Sequence, residues 1–435
     1  MPHQQHSAFD VAVVGGGIIG LAVAWRAQQQ GLRTVVLERE GQLAQGASHV
    51  AAGMLAPVSE AHLAERELLA LGLASAAQYP AFVAELAEAS GEDPGFLRCG
   101  TLVVARDRDE AEALDRERAE REALGLHVER LLGSEARRRE PGLAPTLRLA
   151  LDIPDDHAVD PRRLCVALAA AVRNAGGEIR TGVAVSGVET AGDRVTGVVL
   201  AGDPASAPGA PASASGAGAV GPASAPGAPA SASGAGAVGT TPATATAPPS
   251  AERIAADQVV IAAGAWTSQL AGLPPAARVP IRPVKGQILR LRDPAGPGLL
   301  TRVLRMSPVY IVPRGDGRYV LGATMEEQGF DTTVTAGGVF ELLRDASELL
   351  PGISELVIEE QEAGLRPGTP DNAPALGAGA LDGLHWATGH HRNGVLLTPI
   401  TADLLLASLT GAPLPELAAP FTPERFTETK KEVAA

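Results

Sequence analysis

The sequence predicts an α/β protein with two cores. Three observations carry that reading: 435 residues of which 45% are apolar, an early apolar strand that runs into a glycine-rich turn and a helix, and β-branched runs that alternate with helical spacing over most of the chain. Single cores stop growing near ~250 residues, so a chain of this length is expected to divide.

Taken in order, Val11–Val14 and Thr34–Glu38 read as strands around a helix that starts near Gly17, which makes a βαβ unit. Glu65–Ala89 has helical spacing, and Asp107–Leu124 reads as a charged, exposed helix. Asp160 and Pro161 supply a cap and a first-turn residue for a helix over 161–175, and Gly176-Gly177 ends it. Strand signals recur at 179–185, 286–292, 309–313 and 318–323, and Gly315-Asp316-Gly317 joins the last pair as a hairpin.

One stretch stands apart. Pro204 to Gly221 reads PASAPGAPASASGAGAVG, and Pro222 to Gly239 repeats it letter for letter. Without large apolar side chains it cannot offset its ordering entropy, so 202–250 is expected to be a disordered low-complexity insert. A linker between domains is one reading. The flanks 194–202 and 252–266 have the composition of adjacent strands, however, which favours an enlarged hairpin loop, because loop entropy grows slowly with length.

The formal net charge of −14 argues against nucleic-acid binding, which needs clustered Lys and Arg. Cys99 and Cys165 are too few for a disulfide framework, so a cytoplasmic location is expected. No Lys or Arg precedes the apolar run at 11–25, as it would in a signal peptide, and no uninterrupted apolar run reaches about 18 residues, so no membrane span is expected.

Gly15-Gly16-Gly17-Ile18-Ile19-Gly20 fits G-x-G-x-x-G directly after the first strand, and Glu38 with Arg39 lies at the end of the next. Gly15 would make the tight turn, Gly17 would admit a pyrophosphate to the backbone amides at Ile18 and Ile19, and Gly20 would let helix and strand pack closely. Glu38 would accept from ribose hydroxyls, which favours FAD or NAD over NADP. A Rossmann-like dinucleotide site follows from strand, turn, helix and acid together.

Outside the insert the sequence resembles the D-amino-acid-oxidase and glycine-oxidase superfamily of flavoproteins. Four segments carry the resemblance: Gly46-Ala47-Ser48 with Ala51-Ala52-Gly53-Met54-Leu55; Val259 to Trp266, including Ala263 and Gly264; Ala363-Gly364-Leu365-Arg366-Pro367-Gly368-Thr369; and Gly389-His390-His391-Arg392-Asn393-Gly394-Val395-Leu396-Leu397. Val183 matches the residue whose backbone meets the adenine in that family. The resemblance implies a Rossmann-like FAD/NAD(P)-binding domain in three pieces, 8–94, 151–272 and 361–425. An α+β, antiparallel-sheet substrate domain, 95–150 and 273–360, is interleaved with it. It implies noncovalent FAD, since the chain has no cysteine after Cys165.

The same resemblance places Arg366 on the substrate carboxylate, with Tyr310 as a second donor. Met54 and Met325 would wall a small cavity, and Arg392 would sit close to the active site. His391, Asn393, Gly394, Val395 and Leu396 would lie along the flavin, where backbone amides and a following helix start stabilise charge on its N1 edge. No side-chain base is required. The implied reaction is oxidative deamination of glycine with O₂, through an imine, to glyoxylate, ammonia and hydrogen peroxide. A homo-oligomer and transfer of the imine to a thiazole synthase in thiamine synthesis are implied as well. Sarcosine or a small D-amino acid as substrate, or a flavin-binding protein without turnover, stay open as alternatives. Two positions depart from the family: Pro308 stands where some members have His, and His391 stands where an aromatic residue is frequent. His390 and His391 suggest no metal, because neighbours on an extended segment point apart and no carboxylate completes a set.

Overall fold

The computed structural model describes residues 8–202, 252–306 and 308–426. The repeat at 204–239 lies outside the described residues, but its flanks do not. The strands Arg194–Leu200 and Arg253–Ile261 pair antiparallel, with Gly197 opposite Ala255 and Val199 opposite Arg253. The insert therefore joins two partners in one sheet, as the hairpin reading required.

Two large sheets organise the described residues. In the first, Phe9–Val14 lies between Arg253–Ile261 and Thr34–Leu37, parallel to both, and Glu178–Arg180 and Leu384–Thr388 extend the parallel core on either side. The first strand is apolar because both its faces are covered, and Val11, Ala12 and Val13 have no exposure. The helix Ile18–Gln29 starts directly from the turn after it and packs against the helices Pro161–Asn174 and Thr398–Thr410. Asp160 caps its helix as expected, accepting from Arg162 N–H at 2.9 Å. The expected strand at 179–185 is instead two strands, Glu178–Arg180 and Val185–Ala191, because Gly182 adopts φ +71° and turns the chain between them.

The second sheet runs, in spatial order, through Val357–Gly368, Arg282–Arg292, Arg318–Gly322, Val309–Pro313, Val303–Met306, Thr101–Ala105, Leu149–Ile153 and Glu129–Leu132. Its pairs are antiparallel apart from Val303–Met306 with Thr101–Ala105. It takes in residues 151–153 and 361–368, which the sequence reading had assigned to the cofactor-binding pieces. Hydrogen bonding along the 12-residue strand Val357–Gly368 carries the second sheet up to Gly368, so Arg366 stands on it.

The helix Arg66–Ser90 has the length and hydropathy of a membrane span. Here Leu71, Tyr79, Phe82 and Leu86 bury its apolar side against Trp25 and Leu405 in the first core. Two of its polar side chains reach further. Ser75 Oγ donates to the carbonyl of Leu396 at 2.6 Å and the Tyr79 hydroxyl to that of Val395 at 2.9 Å, which pins the turn after Asn393.

Candidate active site

A cavity of about 1310 Å³ runs from the glycine-rich turn to the second sheet. Gly15, Gly17, Ile18, Ile19, Glu38, Arg39 and Val183 line one end, and Ala47, Ser48, Ala52, Gly53, Met54, Ala263, Gly264 and Trp266 line the middle. Tyr310, Met325, Arg366, His391, Arg392, Asn393, Gly394, Val395 and Leu396 line the other end. Gly20 does not line it. A Cβ at Gly20 would lie 2.0 Å from the Gly15 carbonyl oxygen, so this glycine serves the close packing of helix on turn.

The first end fits a dinucleotide. Gly15 has φ +113°, and a Cβ there would come within 2.4 Å of the Ala262 carbonyl oxygen, so only glycine makes this turn. Gly16 N–H donates to Glu38 Oε2 at 2.8 Å and Glu40 N–H to Glu38 Oε1 at 2.9 Å, which fixes the carboxylate while leaving lone pairs for a ribose diol. Ser48 Oγ accepts from Ile18 N–H at 3.0 Å and so sits on the helix N-terminus itself. The Arg39 guanidinium stacks over Trp266, 4.3 Å from the ring centre, and pairs with Glu40 at 2.8 Å. A cavity of this size with one acid, a glycine turn and a helix start suits an adenine dinucleotide.

The middle and far walls supply donors. The Val395 and Leu396 carbonyls are taken by Tyr79 and Ser75, and among the described residues their N–H groups have no acceptor. The helix Thr398–Thr410 begins immediately beyond. Neither Cys99 nor Cys165 lines the cavity.

At the far end Arg366 lies opposite Val284 in the second sheet, and its guanidinium covers Gly286 on the neighbouring strand, where a Cβ would be 2.5 Å from both terminal nitrogens. Gly322, opposite Tyr310, leaves room for the phenol in the same way, a Cβ there meeting its hydroxyl at 2.6 Å. Arg366 Nη1 donates to the Lys285 and Thr324 carbonyls, each at 3.3 Å, and among the described residues no carboxylate pairs with it. Burial pushes the Tyr310 hydroxyl pKa up, and the facing Arg366 opposes that rise. A half-buried guanidinium with no carboxylate partner among the described residues, beside a phenol, has the chemistry to hold one carboxylate.

Four expected residues differ in detail. Met325 lines the mouth rather than walling a closed pocket, and 64% of it is exposed. Arg392 does not present a free charge: its Nε is 3.5 Å from Glu60 and its Nη2 3.3 Å from Glu65. His390 and His391 lie on a turn rather than an extended segment, and both line the cavity. His390 is buried against Thr401 Oγ1 at 3.0 Å, while His391 adopts φ +48°. Burial pushes the His391 pKa down to about 4, with Arg366, Arg392 and Arg282 adding to the shift.

Sequence reading missed Arg305 and Glu60. Arg305 interrupts an apolar strand and is the cross-strand partner of Tyr310, a signal that the register of that hairpin would have exposed. Glu60 lies in a turn after Pro57 and carried no motif.

Comparison with known proteins agrees with this geometry. Residues 10–408 match the family described as FAD dependent oxidoreductase. The chain is 34% identical over 403 residues to a glycine oxidase of Geobacillus kaustophilus, covering 92% of each chain. The crystal structure of glycine oxidase from that organism superposes with a TM-score of 0.79 at 31% identity, over 96% of this chain and 98% of that one. The chain is also 34% identical, over 97% of its length, to a protein named Bifunctional protein ThiO/ThiG from Synechocystis sp., of which it spans only 54%. The chain thus spans about half the length of the bifunctional relatives it matches, and with the family match over residues 10–408 it belongs to the FAD-dependent oxidoreductase family.

Proposed function

We propose that this chain oxidises glycine to glyoxylate with release of ammonium and hydrogen peroxide. The observation that carries the reading is Arg366, a guanidinium without a carboxylate partner among the described residues, facing Tyr310 at the end of a cavity whose other end fits FAD. When bound, the flavin supplies the two-electron acceptor that O₂ re-oxidises. The residues of the chain do the rest. Arg366 and Tyr310 hold the carboxylate, which orients the α-carbon toward the middle of the cavity. The burial and the Arg366 and Arg392 charges that act on His391 also disfavour an ammonium here, so the substrate amine gives its proton to water on binding and no side-chain base is needed. Glycine, O₂ and water then balance as glyoxylate, ammonium and hydrogen peroxide, the imine being hydrolysed.

Relatives named glycine oxidase over nearly their whole length support the substrate. The bifunctional relatives, which join the matched half to a second part in one chain, support passing the imine to thiazole formation in thiamine synthesis. The test is anaerobic bleaching of the purified flavoprotein by glycine, sarcosine and D-alanine in turn. Fast bleaching by glycine is expected; a flavin indifferent to glycine but bleached by either of the others reassigns the substrate.

A further inference from the structure

The far end of the cavity holds three arginines, and among the described residues one of them, Arg366, has no carboxylate partner. Arg305 Nη2 lies 3.3 Å from Glu60 Oε1, and Arg392 Nε lies 3.5 Å from Glu60 Oε2. Glu65 completes the pairing of Arg392. Among the described residues two carboxylates stand against these three guanidinium groups, which leaves one unmatched positive charge, that of Arg366.

Glu60 is held in place with unusual care. Asp156, fully buried, accepts from Val58 N–H at 3.1 Å and Ser59 N–H at 2.7 Å. Buried Arg121 donates to the carbonyls of the same two residues at 2.9 and 3.2 Å, and Arg305 donates to that of Ser59. The turn that carries Glu60 is thus clamped at its peptides from both sides. Its ion pairs are nevertheless loose, and Arg392 Nε is buried without a hydrogen-bond acceptor among the described residues. A donor in that state is a place for an anion that Glu60 keeps out.

We propose that Glu60 is a specificity-determining residue: by cancelling Arg305 and Arg392 it matches the chamber to amines with a single carboxylate and excludes those that carry a second. The inference rests on the reading of Arg366 as the carboxylate site. Neutralising Glu60 would leave two unmatched guanidinium groups, and an N-carboxymethyl substituent would then find Arg392 or Arg305 as its partner. Iminodiacetate is the simplest such substrate; with O₂ and water it yields glycine, glyoxylate and hydrogen peroxide.

The experiment uses the holoenzyme, Glu60→Gln and Glu60→Asp. It measures kcat/KM for glycine and iminodiacetate, and the dissociation constants of acetate and malonate from the change each makes in flavin absorbance. Wild type should hold malonate no more tightly than acetate. Glu60→Gln should shift both ratios toward the dicarboxylate by about tenfold, roughly one charge-assisted contact, and Glu60→Asp should stay with wild type. A wild type that prefers malonate tenfold overturns the proposal even if Glu60→Gln fails to fold. Unmoved ratios in a folded Glu60→Gln overturn it while leaving glycine oxidation intact. A shifted acetate-to-malonate ratio in a protein that ignores glycine would instead sustain Glu60 and sink the substrate.

Discussion

The two ends of the cavity are built from different materials. The cofactor end is backbone and glycine: a turn at Gly15, amides at Gly16 and Ile18, and one carboxylate, all within the first strand–helix–strand unit apart from Ser48, Val183 and the Ala263–Trp266 segment. The substrate end is side-chain charge. Arg305, Tyr310, Arg366 and Arg392 arrive from separate elements, and Glu60 comes from a turn more than 240 positions before Arg305. Backbone geometry fails all at once when a glycine is replaced, whereas a charged site can lose one member and keep its shape.

The sharpest break of that contrast is Gly15→Ala. The new Cβ meets a carbonyl at 2.4 Å on a backbone with φ +113°, and neither neighbour can retreat without moving the parallel strand Arg253–Ile261. Strain and overpacking together come to on the order of 4 kcal/mol. We expect protein isolated almost without flavin, seen as a collapsed ratio of visible to ultraviolet absorbance. Arg366→Ala should do the opposite. Flavin content should hold, and kcat/KM for glycine should fall by about a thousandfold, the loss of one desolvated partner of a carboxylate. Flavin loss in that variant would show that the two ends are one mechanical unit.

Acid should separate the ends next. Burial pushes the His390 pKa from its ordinary 6.5 down to about 3, so the folded protein holds this ring neutral. Because the folded value lies below the unfolded one, the ring's stabilisation is complete above pH 6.5 and drains away as pH falls toward 3. By about pH 4.5 it amounts to a loss of roughly 2–3 kcal/mol. Thermal melts between neutral and acid pH should show a steep fall that His390→Gln flattens, and an unchanged slope would remove the ring from the account.

The difference between the ends also explains what the sequence alone disclosed. The cofactor end is written locally: an apolar strand, G-x-G-x-x-G and an acid at the next strand end are each contiguous, so spacing was enough to place them. Gly20 follows the same pattern: its motif position implies close packing of helix and strand, and a Cβ there would meet the Gly15 carbonyl. At the substrate end Arg366 and Tyr310 were reached through resemblance, and the pairing of Arg392 with Glu60 and Glu65 was not reached at all, because charge partners across a fold leave no spacing to count. Strand edges behaved likewise. Hydrogen bonding to Arg282–Arg292 pulls Val357–Gly368 whole into the second sheet, although its last residues belong to a segment that the family resemblance implies lies beside the cofactor.

The repeat offers the smallest expected effect and a test of how far the cofactor end depends on chain continuity. Arg194–Leu200 and Arg253–Ile261 already pair in register, and Arg253–Ile261 is also held by Phe9–Val14 and Leu384–Thr388. Shortening the connection changes only a closure entropy that varies slowly with length, about 0.6 kcal/mol per halving. Deleting 204–239 should therefore leave flavin content and glycine turnover nearly unchanged and raise the melting temperature slightly. Loss of flavin would mean that the strand carrying Val259 to Trp266 depends on the inserted segment, and the cofactor end would then be less local than its motif suggests.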